Sequence, residues 1–170
     1  MFKRLSPRIT MLASFLVALF APVSSIAQDF PDSDTREINS YVLTESALAK
    51  YSQATRNLAA LPNKCDEDEM EGAQSLNEAA ALLDSVPEVR AAIRSAGLTT
   101  REYTVFTWAL FQTGMGSWVL SQPGGKLPVG TSMANVNFYR AHEAAIQKLD
   151  KETKSDDCDA ADSEDEEVEE

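Results

Sequence analysis

The one histidine of the chain, His142, is the side chain best suited to chemistry, because a neutral imidazole binds metals and titrates near neutral pH. In a helical bundle it could bind haem iron, with Met115 or Met70 as a second axial ligand. The chain has no Cys-x-x-Cys-His sequence for covalent haem attachment. A single histidine on an apolar helix face is more often a half-buried core residue. The sequence therefore favours a structural role for His142, and it predicts no resident cofactor and no metal.

Two glycine-containing sequences match catalytic motifs only in part. Residues 114–118, Gly-Met-Gly-Ser-Trp, lack the Gly-x-Ser-x-Gly frame of a nucleophile elbow and lie in a predicted helix. Gly125-Lys126 is followed by leucine, whereas a phosphate-binding loop needs serine or threonine there and a strand before it. Carboxylate pairs are too common among 27 acidic residues to indicate a site. The sequence therefore predicts a non-enzymatic protein, with carboxylate chemistry as the catalytic alternative.

Cys65 and Cys158 are the two cysteines of the chain. In an oxidising compartment such a pair is first interpreted as a disulfide. A bridge between these positions would close a long loop and contribute about 4–5 kcal/mol of stability by restricting the unfolded chain. Two free thiols, or a bond to another chain, are the alternatives, because sequence does not show whether the sulfur atoms meet.

Residues 1–27 have the pattern of a cleaved signal peptide. Lys3, Arg4 and Arg8 form a basic region, an apolar stretch follows over 11–21, and Ser25-Ile26-Ala27 places small residues where a signal peptidase reads. The apolar stretch is short for a bilayer span, which needs about 20 residues. The sequence therefore predicts a periplasmic or secreted protein without stable membrane insertion after cleavage.

The chain is strongly acidic, with a formal net charge of −12 that becomes more negative once the basic leader is removed. This charge argues against nucleic-acid binding, because phosphates would be repelled. Residues 153–170 carry most of the excess, and such a block is expected to be a disordered, solvated tail. Weak calcium binding by its carboxylates is the alternative, although the tail lacks the spacing of an EF-hand loop.

Apolar residues recur at helical spacing over residues 44–152, which we expect to form one domain of four to five helices. The predicted helices cover 44–61, 66–84, a short segment opened by Ser85 and Glu88, 99–120 and 132–151. Thr44 and the Thr99–Glu102 pair have the spacing of helix caps. Residues 28–43 are polar and are expected to form a flexible lead-in.

The segment from Tyr103 to Leu120 is apolar on all sides, and no charged residue occurs between Tyr103 and Gly125. A helix of this kind lies at the centre of a domain or in a membrane. Its interspersed threonine, glutamine and serine residues favour the centre of an all-α bundle. Trp108 and Trp118 could line a ligand pocket, but core packing is the stronger interpretation.

The stretch Val89–Met115 contains Ala-Gly-Leu-Thr-Thr-Arg-Glu-Tyr at 96–103, followed by the apolar helix. It resembles a group of uncharacterised exported bacterial proteins that share an Ala-Gly-Leu-Thr-x-Arg-Glu-Tyr turn before such a helix. The likeness covers at best about 44–120. It implies a periplasmic helical protein and brings no assigned activity.

Taken together, these features predict a non-enzymatic periplasmic or secreted protein that binds a protein partner or a small ligand, with a role in envelope stress as one expectation. The first alternative is a bundle that binds haem or a small apolar ligand near His142. The second is an enzyme that uses carboxylate chemistry.

Overall fold

The computed structural model describes residues 30–62 and 72–154, and every regular element in these two ranges is an α-helix. The helices are α1 (Asp32–Ser40), α2 (Glu45–Ala59), α3 (Leu76–Ser85), α4 (Pro87–Ser95), α5 (Thr100–Ser121) and α6 (Met133–Thr153). The predicted all-α class is confirmed. The helix that the sequence does not predict is α1.

The helix starts show why these segments fold locally. The Thr44 hydroxyl accepts a hydrogen bond from the Ala47 N–H at 3.2 Å, which caps α2 as predicted. Thr99 and Glu102 form the predicted capping box of α5, in which each side chain accepts the other residue's backbone N–H at 3.1 and 2.8 Å. These bonds satisfy N–H groups that have no partner inside a helix.

Two parts of the predicted helices are wrong. Residues 72–75 are not helical; Gly72 has a φ of 80°, and Ser75 caps α3 through the Glu78 N–H at 3.1 Å. Ser85 does not cap α4, because its hydroxyl donates instead to the Leu82 carbonyl at 2.6 Å. The cap position of α4 is Val86, which makes no side-chain cap bond.

Three long helices define the frame of the bundle. α2 and α6 run in the same direction, since Glu45 at the start of α2 contacts His142 in the middle of α6, and Arg56 contacts Glu152 near the ends of both helices. α5 runs opposite to α6, because Arg140 near the start of α6 donates to Ser117 near the end of α5. α3 and α1 pack against α5, and α4 packs against α2.

The core follows the first half of α5. Phe106 is buried at the centre, and the Tyr51 ring of α2 stacks on both Phe106 and Tyr103, with centroid distances of 4.6 and 5.1 Å. One buried cluster surrounds Phe106, and a second surrounds Tyr103 between α2, α3 and α4. Burial of such aromatic side chains contributes about 1.5–3 kcal/mol each.

The second half of α5 is not enclosed, so the prediction of burial on all sides is wrong there. Phe111, Met115 and Trp118 are 60%, 46% and 58% exposed. The Tyr139 ring packs on Gly114, and Thr131 and Leu127 lie against Gly116. No helix in the described ranges is both long enough and apolar enough to cross a bilayer.

The predicted flexible lead-in over 28–43 instead contains α1, which is part of the core. The Asp34 carboxylate, 6% exposed, accepts a hydrogen bond from the Leu76 N–H at 2.8 Å and from the Ser33 hydroxyl at 3.2 Å. Ile38 lies buried in the Phe106 cluster. The polar segment of α1 folds because Ile38 packs into the core and the Asp34 carboxylate accepts the Leu76 N–H.

Asn135 of α6 fixes the connection between α1 and α2. Its side-chain oxygen accepts from the Leu43 N–H at 3.1 Å, and its amide donates to the Tyr41 carbonyl at 2.7 Å. Asn135 is buried, so both bonds are shielded from water. Leu43 is thereby held in the core beside α5.

Substitution of Asp34 by alanine should lower the free energy of unfolding by about 1–3 kcal/mol, because the Leu76 N–H at the start of α3 would remain buried without an acceptor. Asp34→Asn keeps an acceptor oxygen and should lose less. Urea unfolding followed by circular dichroism measures both. Equal stability of the wild type and Asp34→Ala would contradict the assigned cap.

Candidate functional site

A cleft of about 410 Å³ lies between α2, α5 and α6. Its volume is in the range of small-molecule binding sites, about 300–1,000 Å³. The lining residues that the structure describes are Tyr51, Thr55, Thr107, Leu110, Phe111, Gly114, Met115, Tyr139, Ile146, Leu149, Asp150 and Thr153. The walls are thus mainly aliphatic and aromatic, with a few polar groups, as in most ligand sites.

Gly114 determines how closely α6 approaches α5 at the cleft. A Cβ atom at this position would lie 3.2 Å from the Tyr139 ring, which is tighter than ordinary contact. The glycine therefore lets the ring lie directly on the α5 backbone. The close approach at this glycine is thus made by a side chain of α6.

The three threonines of the cleft use their hydroxyl protons within their own helices. Thr55 donates to the Tyr51 carbonyl, Thr107 to the Tyr103 carbonyl and Thr153 to the Leu149 carbonyl, at 2.9–3.0 Å. Each hydroxyl oxygen can then only accept a further hydrogen bond. The Thr55 oxygen also lies 3.5 Å from the Tyr103 hydroxyl, which can donate to it.

Asp150 alone carries a charge among the described lining residues of the cleft. Burial raises the pKa of Tyr139, and the negative charges of Glu143 and Asp150 raise it further. The phenol of Tyr139 is therefore protonated at neutral pH. The electrostatic surroundings of this wall are negative.

The cleft continues onto an exposed apolar stripe. Phe111 and Met115 line it, and Trp118 follows at the next helical step on the same face of α5. Contiguous exposed apolar patches on a protein surface often mark binding sites. The stripe and the cleft therefore form one continuous apolar surface.

His142 is the side chain that the sequence marks as best suited to chemistry. It does not line the cleft. Its Nδ1 is 2.7 Å from the Phe138 carbonyl, and its Nε2 is 2.6 Å from a carboxylate oxygen of Glu45. The ring stacks on Phe138 at 4.1 Å, and the side chain is 21% exposed. Both nitrogens are thus engaged, so a metal ligand bond would have to displace one of these partners.

The two tryptophans differ in environment. Trp108 is half-buried and packs edge-to-face against Phe30 and Phe111, and its Nε1 is buried without a hydrogen-bond partner in the described residues. Trp118 is exposed, so the prediction of core packing is wrong for this residue. Neither indole lines the cleft.

Sequence reasoning does not identify the cleft itself. Thr107 is treated there only as an interruption of an apolar helix. Tyr139 and Asp150 are assigned to no site, because their role arises from the approach of α6 to α5. The described residues contain no group of three potential metal ligands.

Several predicted features lie outside the described residues. They are the signal peptide over 1–27, Met70, the Cys65–Cys158 disulfide and all but the first two residues of the acidic tail. These features stay predictions.

The pKa of His142 should lie above its ordinary value of 6.5, because its bond to the Phe138 carbonyl and its contact with Glu45 both favour the protonated ring. A raised pKa means that the stabilisation is complete below about pH 6.5 and is lost as the pH rises through the folded-state value. His142 is the one histidine of the chain, so its ring proton resonances in NMR spectra can be titrated without ambiguity.

Glu45→Gln should lower this pKa, and Glu88→Gln, an exposed residue of α4, should leave it unchanged. A wild-type pKa at or below 6.5 would show that the contact does not form in solution.

No known protein family matches the chain, and comparisons with curated proteins and with solved structures give no match. The resemblance of Val89–Met115 to exported helical proteins therefore stays a prediction. The site has to be interpreted from its own geometry.

Proposed function

We propose that the chain is an extracytoplasmic, non-enzymatic binding protein and that the cleft between α2, α5 and α6 holds a small apolar ligand. The observation that carries this proposal is the continuous apolar surface formed by the cleft and the exposed side chains of Phe111, Met115 and Trp118. Exposing these side chains to water costs free energy that a bound apolar molecule would recover.

Binding fits the polar groups of the cleft better than catalysis does. Paired-carboxylate chemistry needs two acidic groups at the reacting atom. The described lining offers Asp150 and hydroxyl groups that are already engaged with backbone carbonyls. Such groups orient a ligand rather than transform it.

The ligand position proposed here differs from the haem-binding alternative. That alternative needs an available imidazole nitrogen, and both nitrogens of His142 are engaged. Met115 lines the cleft, whereas His142 does not. An apolar ligand that needs no coordination bond is therefore the better candidate.

The extracytoplasmic location rests on the basic residues, the apolar stretch and the small residues of 1–27. A role in envelope stress is proposed from that location alone. The charge of −12 suits a soluble protein that does not bind nucleic acid.

The cleft should bind the neutral dye N-phenyl-1-naphthylamine, with enhanced fluorescence. A double substitution, Phe111→Ser with Met115→Ser, should weaken dye binding at least about tenfold, because two apolar wall groups are lost and tenfold corresponds to about 1.4 kcal/mol. Both residues are partly exposed, so the fold should tolerate the change.

Val129→Ser is the matched control, since Val129 is 99% exposed and does not line the cleft. It should bind the dye like the wild type. Equal binding by the double variant would place the dye elsewhere and overturn the assignment of the cleft.

Export can be tested by expressing the full chain in bacteria and isolating the periplasmic fraction. The mature protein should begin at Gln28, and Ala27→Arg should block cleavage because the peptidase needs a small residue there. Pro31→Ala, beyond the cut, should be processed normally. Intact mass spectrometry measures the outcome, and an unprocessed wild-type chain in the cytoplasm would contradict the proposal.

A further inference from the structure

We infer that the preferred occupant of the cleft is an aliphatic ammonium, that is, an apolar chain ending in a positively charged nitrogen. This inference rests on the proposed function, because it identifies the ligand class of the same cleft. It follows from the kind of polar atom that the walls present and from the sign of their charge.

The polar atoms of the cleft are mostly acceptors. The hydroxyl protons of Thr55, Thr107 and Thr153 are committed to carbonyls within their helices, so their oxygens offer lone pairs. The Asp150 carboxylate accepts and does not donate. A ligand head group that brings N–H donors finds several partners here, whereas an acceptor-only head group finds only the tyrosine hydroxyls of the lining as donors.

The wall of the cleft is negatively charged, which favours a cationic ligand. Asp150 lines the cleft, and Glu143 lies close enough to act together with it on the Tyr139 phenol. Two nearby basic residues, Arg56 and Lys148, contact Glu152 at 3.1 and 3.5 Å rather than lining the cleft. A carboxylate or phosphate head group would therefore meet like charge.

Aromatic rings add a second attraction for a cation. Phe111 of α5 and Tyr139 of α6 contribute their side chains to the walls, whereas the Tyr51 ring is already stacked on Phe106 and Tyr103. The face of an aromatic ring attracts an ammonium group, and this attraction strengthens when the group is removed from water. The apolar tail of the ligand can then extend along Leu110, Met115 and Ile146.

The test compares three probes with the same ten-carbon tail: decylammonium, decanol and decanoate. Isothermal titration calorimetry at neutral pH, below micelle-forming concentrations, should rank decylammonium first. An exposed ion pair should give about a three- to fivefold preference over decanol. Decanoate should bind more weakly than decanol.

Asp150→Asn should reduce the preference for decylammonium over decanol to about twofold or less, because the carboxylate is replaced by a neutral amide of the same shape. Asp84→Asn is the matched control, since Asp84 pairs with Arg94 on the surface and does not line the cleft. It should retain the full preference. Circular dichroism establishes that both variants fold.

The outcomes distinguish failure of the ammonium assignment from failure of the proposed function. Equal binding of the three probes, tighter binding of decanoate, or a preference that persists in Asp150→Asn would overturn the ammonium assignment while the cleft stays a binding site. Failure of all three probes and of the neutral dye to bind would overturn the proposed function as well.

Discussion

The structure depends on the covering of one uncharged helix. α5 has no charged side chain from Tyr103 to its end at Ser121, and most of its side chains are apolar. Exposing most of its surface to water is therefore unfavourable. Around its first half, α1, α2, α3 and α4 supply the missing contacts, with Phe106 and Tyr103 at the centres of the two buried clusters. The other helices are arranged so that the first half of this helix is enclosed.

Enclosure stops halfway along α5, and the site begins there. α2 and α6 run side by side against α5, and the described neighbours of its second half leave Phe111 and Met115 uncovered. Gly114 brings α6 close on one side, so the remaining space is a cleft rather than a flat surface. The same lack of charge that builds the core therefore leaves an apolar surface open to a ligand.

The parts of this fold that are determined locally could be predicted from the sequence. Thr44 and the Thr99–Glu102 pair reveal their helix starts because a cap needs only neighbouring residues. α1 could not be predicted in this way, because its stability depends on contacts of Asp34 with Leu76 and of Ile38 with the core, which are distant in the chain. Local polarity suggested an irregular segment.

The candidate site is harder to predict from the sequence, because it too depends on contacts between residues that are distant in the chain. A half-buried His142 is predictable from its place on a helix face, but its partner Glu45 lies on another helix. Whether an apolar residue such as Trp118 is buried depends on which helix covers it, and periodicity does not contain that information. The cleft itself is a property of three helices, so no single segment indicates it.

The buried contact between Asp34 and the start of α3 also determines where the autonomous folding unit begins. The periodic pattern places that boundary at Thr44, yet a fragment trimmed to this point would lose the acceptor for the Leu76 N–H and the Ile38 side chain beneath which α5 packs. The residues of α1 are thus structural. Proteolytic trimming of the chain past Asp34 would remove part of the hydrophobic core rather than a dispensable extension.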